Sequence, residues 1–122
     1  MGEKIRTFRD LIAWQKGHQL TLEIYKITSS FPKEEIFGLT SQLRRAAVSI
    51  TSNIAEGFSR QSDKEKIQFF YLSLGSNTEL QSQILLAKDL NYIDSATHNQ
   101  LSELSVETSK LINGLIKNLK NT

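Results

Sequence analysis

The sequence predicts an all-α protein, an antiparallel up-down four-helix bundle. The chain has a single proline in 122 residues, so little in it interrupts a helix. No segment alternates apolar and polar residues with the period of two that is typical of strands. Clusters of turn-forming residues separate four segments of helical length, and these predict helices over residues 10–28, 39–58, 63–90 and 95–119.

The first two helices have simple boundary signals. Helix one begins at Asp10, whose negative charge suits the positive end of the helix dipole, and it ends before Pro32. Helix two spaces its apolar side chains three and four residues apart, from Leu39 through Ile50 to Ile54. This spacing places them on one face, which we expect to point into the core.

The last two helices have more specific signals. Ser62 and Glu65 have the spacing of a capping box, in which each side chain pairs with a backbone N–H of the other residue. Helix three ends near Asn91, because asparagine tolerates the left-handed conformation that often terminates a helix. Helix four carries one apolar seam with spacings of three and four residues, formed by Leu101, Leu104, Thr108, Leu111 and Leu115.

Helices one and three carry apolar stripes on two opposite faces. A bundle hides one broad face of each helix, so the second stripe would be an exposed apolar patch unless another copy of the chain covers it. We therefore expect a homo-oligomer. The pattern leaves open which stripe faces the core; the expected interface residues are Ala13, Leu20, Ile24, Ile27, Phe69, Leu72 and Leu80.

The composition excludes several kinds of chemistry. The chain has no cysteine, which rules out disulfides, thiol nucleophiles and thiolate metal ligands. Neither His18 nor His98 has a glutamate three residues before it, as the di-metal sites of four-helix bundles require. Phosphate-binding glycine loops and nucleophile elbows are missing from the sequence. We expect no catalytic residues, no metal, no cofactor and no enzymatic activity.

Charge and hydropathy place further limits on the protein. The net charge is +2, which by itself is no strong electrostatic signature. No apolar run is long enough to span a membrane, and the charged first nine residues lack the apolar core of a signal peptide. We therefore expect a cytoplasmic protein without a membrane partner, folded as one domain over residues 1–122.

The segment from Arg44 to Gly57 mixes small residues with charged and polar ones inside a helix. It is either a ligand or nucleic-acid site or a polar network that fixes helix register or a subunit contact. We favour the network, because partly buried polar groups need partners. Glu56 and Arg60 also have the favourable spacing of an ion pair. The expected network consists of Arg44, Arg45, Asn53, Glu56 and Glu79.

The ending of this segment, Asn53-Ile54-Ala55-Glu56-Gly57, resembles a family signature. The family is that of the four-helix-bundle proteins encoded in intervening sequences of bacterial 23S ribosomal RNA genes. Stretches at 8–16, 31–39 and 74–80 agree with it. The resemblance implies an up-down bundle that assembles as a homopentamer. It also implies a relationship to the accessory variability determinant proteins of retroelements, which are pentameric barrels that bind reverse transcriptase and nucleic acid.

Together these observations favour a non-enzymatic, homo-oligomeric binding or scaffold module with RNA or DNA as a candidate partner. The alternative is a protein-binding adaptor without a nucleic-acid role, whose groove accepts a partner helix. An enzyme would require carboxylates such as Glu56 and Glu79 to meet in a pocket. The candidate contacts to nucleic-acid phosphates are Lys4, Arg6, Arg9, Lys16, Arg44, Arg45 and Arg60.

Overall fold

The computed structural model describes residues 4–121, and within them it consists of helices and connecting turns, without strands. The prediction of a four-helix, all-α fold is therefore confirmed. None of the helices in this range is long and apolar enough to cross a membrane. The long helices are α1 (Ile12–Thr28), α2 (Leu39–Ser59), α3 (Asp63–Asp89) and α4 (Ser95–Lys120), and short 3-10 turns cover Phe8–Asp10 and Lys33–Glu35.

Contacts between neighbouring helices show that successive helices run antiparallel. The hydroxyls of Ser49 on α2 and Ser76 on α3 lie 2.7 Å apart. Arg45, one turn earlier on α2, pairs with Glu79, which comes later on α3. The helices contact one another in the cyclic order α1, α2, α3, α4, and α4 closes the cycle by packing on α1. As a result α1 and α3 lie diagonally across the bundle.

The first helix begins at Ile12, two residues after the approximate start that the sequence predicts. Leu11 has an extended backbone (φ −75°, ψ 125°), which separates the first 3-10 turn from α1. Asp10 belongs to that turn, where its carboxylate accepts hydrogen bonds from the backbone N–H groups of Thr7 and Arg6. These two bonds lower the pKa of Asp10 below its ordinary value. Its negative charge therefore serves the turn rather than the dipole of α1.

The predicted boundaries of α3 and α4 agree with the structure. Ser62 Oγ accepts from the Glu65 N–H at 3.1 Å, which is one half of the predicted capping box. The Glu65 carboxylate accepts from the Ser62 hydroxyl and not from the Ser62 N–H, so the reciprocal half does not form. Asn91, just after α3, has a φ of 62°, the left-handed conformation expected there. Asp94 then caps α4 by accepting from the N–H of Thr97 at 2.8 Å. Each boundary thus rests on a local side-chain or backbone preference.

The core is aliphatic and contains side chains from all four helices. Two glycines let the helices around it approach closely. A Cβ atom on Gly57 would lie 2.8 Å from Phe70 Cε1, and one on Gly17 would lie 3.1 Å from Thr51 Cγ2. The largest fully buried apolar side chains are Leu20, Ile24, Leu43, Ile50, Ile54, Leu80, Ile84, Leu101 and Ile112.

The expected oligomer interface is wrong for four of its residues, because they fill the core of the chain itself. On α1, this stripe shares its face with the small residues Gly17 and Thr21, and the Thr21 hydroxyl donates to the Ala47 carbonyl of α2. Small side chains allow close packing, so this stripe faces inward. The four buried residues are Ala13, Leu20, Ile24 and Leu80, each 3% exposed or less.

The other three expected interface residues lie nearer the surface. Ile27 packs against the core from its edge. Phe69 is half-buried, and the guanidinium carbon of Arg60 lies 4.6 Å from the centre of its ring. Leu72 is 53% exposed and remains available to a second copy of the chain. The expected interface therefore consists largely of inward-facing residues.

Candidate functional site

The polar segment of α2 forms its main contacts along the seam with α3. The Arg45 guanidinium pairs with the Glu79 carboxylate at 3.5 Å, and both side chains are largely exposed. Asn53 donates to the carbonyl and the hydroxyl of Ser49, whose hydroxyl also contacts Ser76. The Arg45–Glu79 and Ser49–Ser76 contacts cross to α3 and fix the register of the two helices, whereas Asn53 bonds only within α2.

Arg44 lies on the opposite side of α2, against α1. Its Nε donates to Thr28 Oγ1 at 2.9 Å, and its guanidinium carbon lies 4.6 Å from the centre of the Tyr25 ring. Stacking on the ring and bonding to the hydroxyl hold the guanidinium in one orientation. Arg44 and Arg45 are neighbours in sequence, but Arg44 contacts α1 and Arg45 contacts α3.

Glu56 and Arg60 form the ion pair that their spacing predicts, with 3.1 Å between the charged atoms. This pair stays within the last turns of α2 and does not reach Asn53. The five residues of the expected network therefore occupy three separate places, so they form neither one network nor one ligand site. Within residues 4–121, no cluster of acidic and histidine side chains could hold a metal ion.

The deepest polar cluster joins α3 to α4 and was not among the predicted networks. Asn77 is fully buried, and its amide N–H groups donate to the Ser105 carbonyl (2.9 Å) and to Ser109 Oγ (2.7 Å). The Ser105 hydroxyl donates back to the Asn77 side-chain oxygen, and Gln81 donates to that hydroxyl. One sequence signal was available: Ser105 follows Leu101 by four residues inside the apolar seam of α4, so it needs a polar partner across the core.

Two exposed apolar stripes remain on the surface of the bundle. On α3, Leu72 and Leu86 are 53% and 49% exposed, and they lie seven residues on either side of Glu79. On α1, Leu22 and Tyr25 are 58% and 43% exposed. We call these the α3 stripe and the α1 stripe.

Both stripes lie toward the α2 side of their helices. The guanidinium of Arg44 on α2 stacks over the ring of Tyr25 in the α1 stripe. Glu79, which lies between the two leucines of the α3 stripe, pairs with Arg45 of α2. Helices α1 and α3 are diagonal, so stripes on the faces turned directly away from the bundle axis would point in opposite directions. Because both stripes are displaced toward α2, the angle between the directions they face is less than 180°.

Positive charge is concentrated at the end of the bundle where α1 and α3 begin and α2 and α4 end. Eight basic side chains lie there against four acidic ones, whereas the rest of the described chain has seven basic and eight acidic side chains. We call this region the basic end. Its cations are Lys4, Arg6, Arg9, Arg60, Lys64, Lys66, Lys117 and Lys120, and its acids are Asp10, Glu56, Asp63 and Glu65.

Comparison with known families identifies the chain at this point. The family model described as "23S rRNA-intervening sequence protein" matches residues 9–114. The chain belongs to this family. The resemblance seen in the sequence motifs is thereby confirmed, and it extends from the first 3-10 turn to the last turns of α4.

A solved structure supports the fold of this intervening-sequence protein. It is described as a protein with unknown function from the S23 ribosomal protein family of Bacteroides thetaiotaomicron. The two chains are 24% identical, with a TM-score of 0.78, and the match covers 87% of this chain and 99% of the other. At this identity the likeness shows the fold alone. A search among curated proteins found no match.

The candidate nucleic-acid contacts of this intervening-sequence protein do not form one patch. Lys4, Arg6, Arg9 and Arg60 belong to the basic end. The other three lie elsewhere: Lys16 pairs with Glu107 of α4 at 3.4 Å, and Arg44 and Arg45 lie near the start of α2. The sequence did not single out the remaining cations of the basic end, because residues 64–66 and 117–120 are distant from residues 4–9 along the chain.

Proposed function

We propose that this intervening-sequence protein is a non-catalytic, self-assembling helical bundle that binds nucleic acid through its basic end. The observation that carries the proposal is the separation of charge within residues 4–121, with an excess of four positive charges at one end and an excess of one negative charge in the rest.

The basic end suits the backbone of nucleic acid better than its bases. Most of its cations are exposed lysines and arginines at helix ends and on the N-terminal segment. Such side chains neutralise phosphates and release counterions, which supplies affinity without reading sequence. The proposed binding is therefore salt-dependent and tolerant of sequence.

Exposed leucines on α3 support self-assembly. This helix is apolar on its inner face and also carries Leu72 and Leu86 exposed on its outer face, and exposed apolar patches mark interaction surfaces. A second copy of the chain offers the α1 stripe as a covering surface. The two stripes are different surfaces, so their pairing is head-to-tail and can close into a ring when the faces are oblique.

A closed ring would also strengthen nucleic-acid binding. When the ring axis runs along the helices, rotational symmetry places the basic ends of all copies on the same rim. The family resemblance implies five copies. Several modest basic ends on one rim would bind a single strand together, with an avidity that one copy lacks.

The experiment compares two matched triple variants by fluorescence anisotropy with labelled single-stranded RNA. Lys4→Gln/Lys64→Gln/Lys117→Gln removes three charges from the basic end, and Lys26→Gln/Lys88→Gln/Lys110→Gln removes three from elsewhere. The first variant should bind at least tenfold more weakly at low salt and flatten the dependence of log K on log salt by about two for each basic end that contacts the strand, since each phosphate contact contributes about 0.7 on single strands.

The control variant should keep the salt dependence of the wild-type protein. Equal weakening by the two triple variants would show that binding follows net charge and not the basic end. Absence of RNA binding by the wild type at low salt would refute nucleic-acid binding itself. Circular dichroism at both ends of the salt range checks that each variant keeps its helices.

A further inference from the structure

A cavity of about 720 Å³ lies at the end of the bundle opposite the basic end. The last turn of α1, the connection to α2 and the first turns of α2 form its walls. Three of its lining side chains, Lys33, Arg44 and Arg45, are cationic, and none is acidic. Arg45 is paired with Glu79, so the electropositive character of the cavity comes from Lys33 and Arg44.

The two arginines at the cavity are already held in place. Arg44 is fixed by the Thr28 hydroxyl and the Tyr25 ring, and Arg45 by Gln42 and Glu79. A guanidinium has five N–H donors, and these contacts use only part of them. The remaining donors are ordered before any ligand arrives, which lowers the entropic cost of binding an anion.

Thr40 lies in the same wall, but its unpaired hydroxyl is closed off from solvent and so does not face a ligand in the cavity. Thr40 lies in the first turn of α2, is 6% exposed, and its Oγ1 has no hydrogen-bond partner among the described residues. Thr40 and Ser41 carry first-turn N–H groups, which lack acceptors within a helix. Glu35 caps the neighbouring Leu39 N–H, but it does not line the cavity.

The cavity also has an uncovered aromatic wall. Phe37 is 96% exposed and Ile36 is 51% exposed, although both are large apolar side chains. The ring of Tyr25, on the other side, is 43% exposed. Exposed rings next to ordered cations favour a ligand with a planar group joined to an anion.

We propose that this cavity binds a nucleoside phosphate. The phosphate contacts Lys33 and Arg44, and the base stacks on Phe37. A free nucleotide and the terminal nucleotide of a strand share this chemistry. The site does not depend on the proposed function, because α2 has 21 residues and so separates the cavity from the basic end by about 30 Å.

The test is a titration of the full chain with AMP, followed by ¹H–¹⁵N NMR spectra and by calorimetry. AMP should shift the amide signals of Lys33, Thr40, Ser41 and Arg44, and it should bind more tightly than adenosine or inorganic phosphate. The proposal is overturned when AMP moves none of these signals, or when either fragment binds as tightly as AMP.

Two variants separate binding from folding. Phe37→Ala removes a ring that is 96% exposed, so the melting temperature should not fall, while AMP affinity should drop about tenfold because the stacking contact is lost. Lys33→Gln should weaken AMP binding, whereas Lys26→Gln, an exposed lysine of α1 outside the cavity, should leave it unchanged. Unchanged AMP affinity in both Phe37→Ala and Lys33→Gln would refute the assignment.

Two RNA trinucleotides distinguish the sources of the ligand. Competition with AMP by a 5′-phosphorylated trinucleotide, and not by its unphosphorylated form, would assign the cavity to a strand end. Competition by neither would assign it to free nucleotides. The basic-end variant Lys4→Gln/Lys64→Gln/Lys117→Gln should bind AMP like the wild type, so failure of the nucleic-acid proposal and failure of this one are distinguishable.

Discussion

The buried amide of Asn77 shows how much one polar residue can specify in this bundle. Its two N–H groups and its oxygen all have partners on α4, namely Ser105 and Ser109. An apolar side chain there could pack with α3 at several axial positions against α4, whereas the amide makes its hydrogen bonds at only one of these positions. Asn77 therefore fixes the axial position of α3 against α4.

We expect Asn77→Ala to lower the free energy of unfolding by about 2–4 kcal/mol, because it opens a cavity and leaves Ser105 with a missing partner. Urea unfolding followed by circular dichroism measures this. Asn53→Ala is the control, and it should cost less than about 1 kcal/mol, since Asn53 is half-buried and bonds within its own helix. Equal losses in the two variants would contradict the role of Asn77.

Two helical glycines should respond in opposite directions to the same change. At Gly57 a Cβ atom would lie 2.8 Å from Phe70 and 3.1 Å from Phe69, whereas at Gly114 nothing lies within 4 Å. Gly57→Ala should therefore lower the thermal midpoint. Gly114→Ala should stabilise the helix by about 1 kcal/mol, because alanine is the better helix former. A stabilising Gly57→Ala would show that α2 and α3 are not so closely packed.

At the scale of elements, Glu35 joins the two connections at one end of the bundle. One carboxylate oxygen accepts from the Leu39 N–H at 3.0 Å, and the other accepts from the Tyr92 hydroxyl at 2.8 Å. The Leu39 bond, followed by that of Tyr92, lowers the pKa of Glu35 below its ordinary value. The ionised carboxylate thus ties the start of α2 to the connection between α3 and α4.

The pH dependence of this contact has a definite sign. A lowered folded-state pKa means that ionised Glu35 stabilises the fold above pH 4.5, the ordinary pKa of a glutamate, and that this stability is lost as the pH falls through the lowered value. The melting temperature of Glu35→Gln should therefore be below that of the wild type at pH 7, with the difference narrowing in acid. The exposed neighbour Glu34→Gln is the control, and a difference that widened in acid would contradict the assignment.

At the scale of the whole molecule, the head-to-tail ring predicts complementation between two variants. Leu22→Glu damages the α1 stripe and Leu72→Glu damages the α3 stripe, at side chains of similar exposure (58% and 53%). Each variant alone should be monomeric, because a buried glutamate would lack a partner. Their mixture should form a one-to-one dimer, since each copy keeps one intact stripe. Light scattering measures all three samples.

The control for this experiment is Val106→Glu on the outer face of α4, where the valine is 46% exposed. It should keep the mass of the wild-type assembly, which the family resemblance puts at five times 13.9 kDa. A wild-type monomer would refute self-assembly. A mixture of the two stripe variants that stays monomeric would refute pairing between the α1 and α3 stripes.

The sequence by itself determined the features that depend on neighbours along the chain. The ends of α2, α3 and α4 follow from Ser62, Asn91 and the turn clusters, because capping and left-handed preferences act within one helical turn. The Glu56–Arg60 pair was predictable for the same reason, since its residues are one turn apart. The start of α1 was not, because Asp10 could cap either the helix or a preceding turn.

Only the tertiary structure decided which apolar stripes face the core and which charges lie together. The spacing of apolar residues predicts two opposite stripes on a helix equally well. Which stripe faces the core depends on how closely Gly17 and Gly57 let α2 approach its neighbours. The basic end and the cavity at Thr40 combine residues that are far apart in sequence or separated by a turn. Such groupings depend on how the helices pack, and no local preference encodes them.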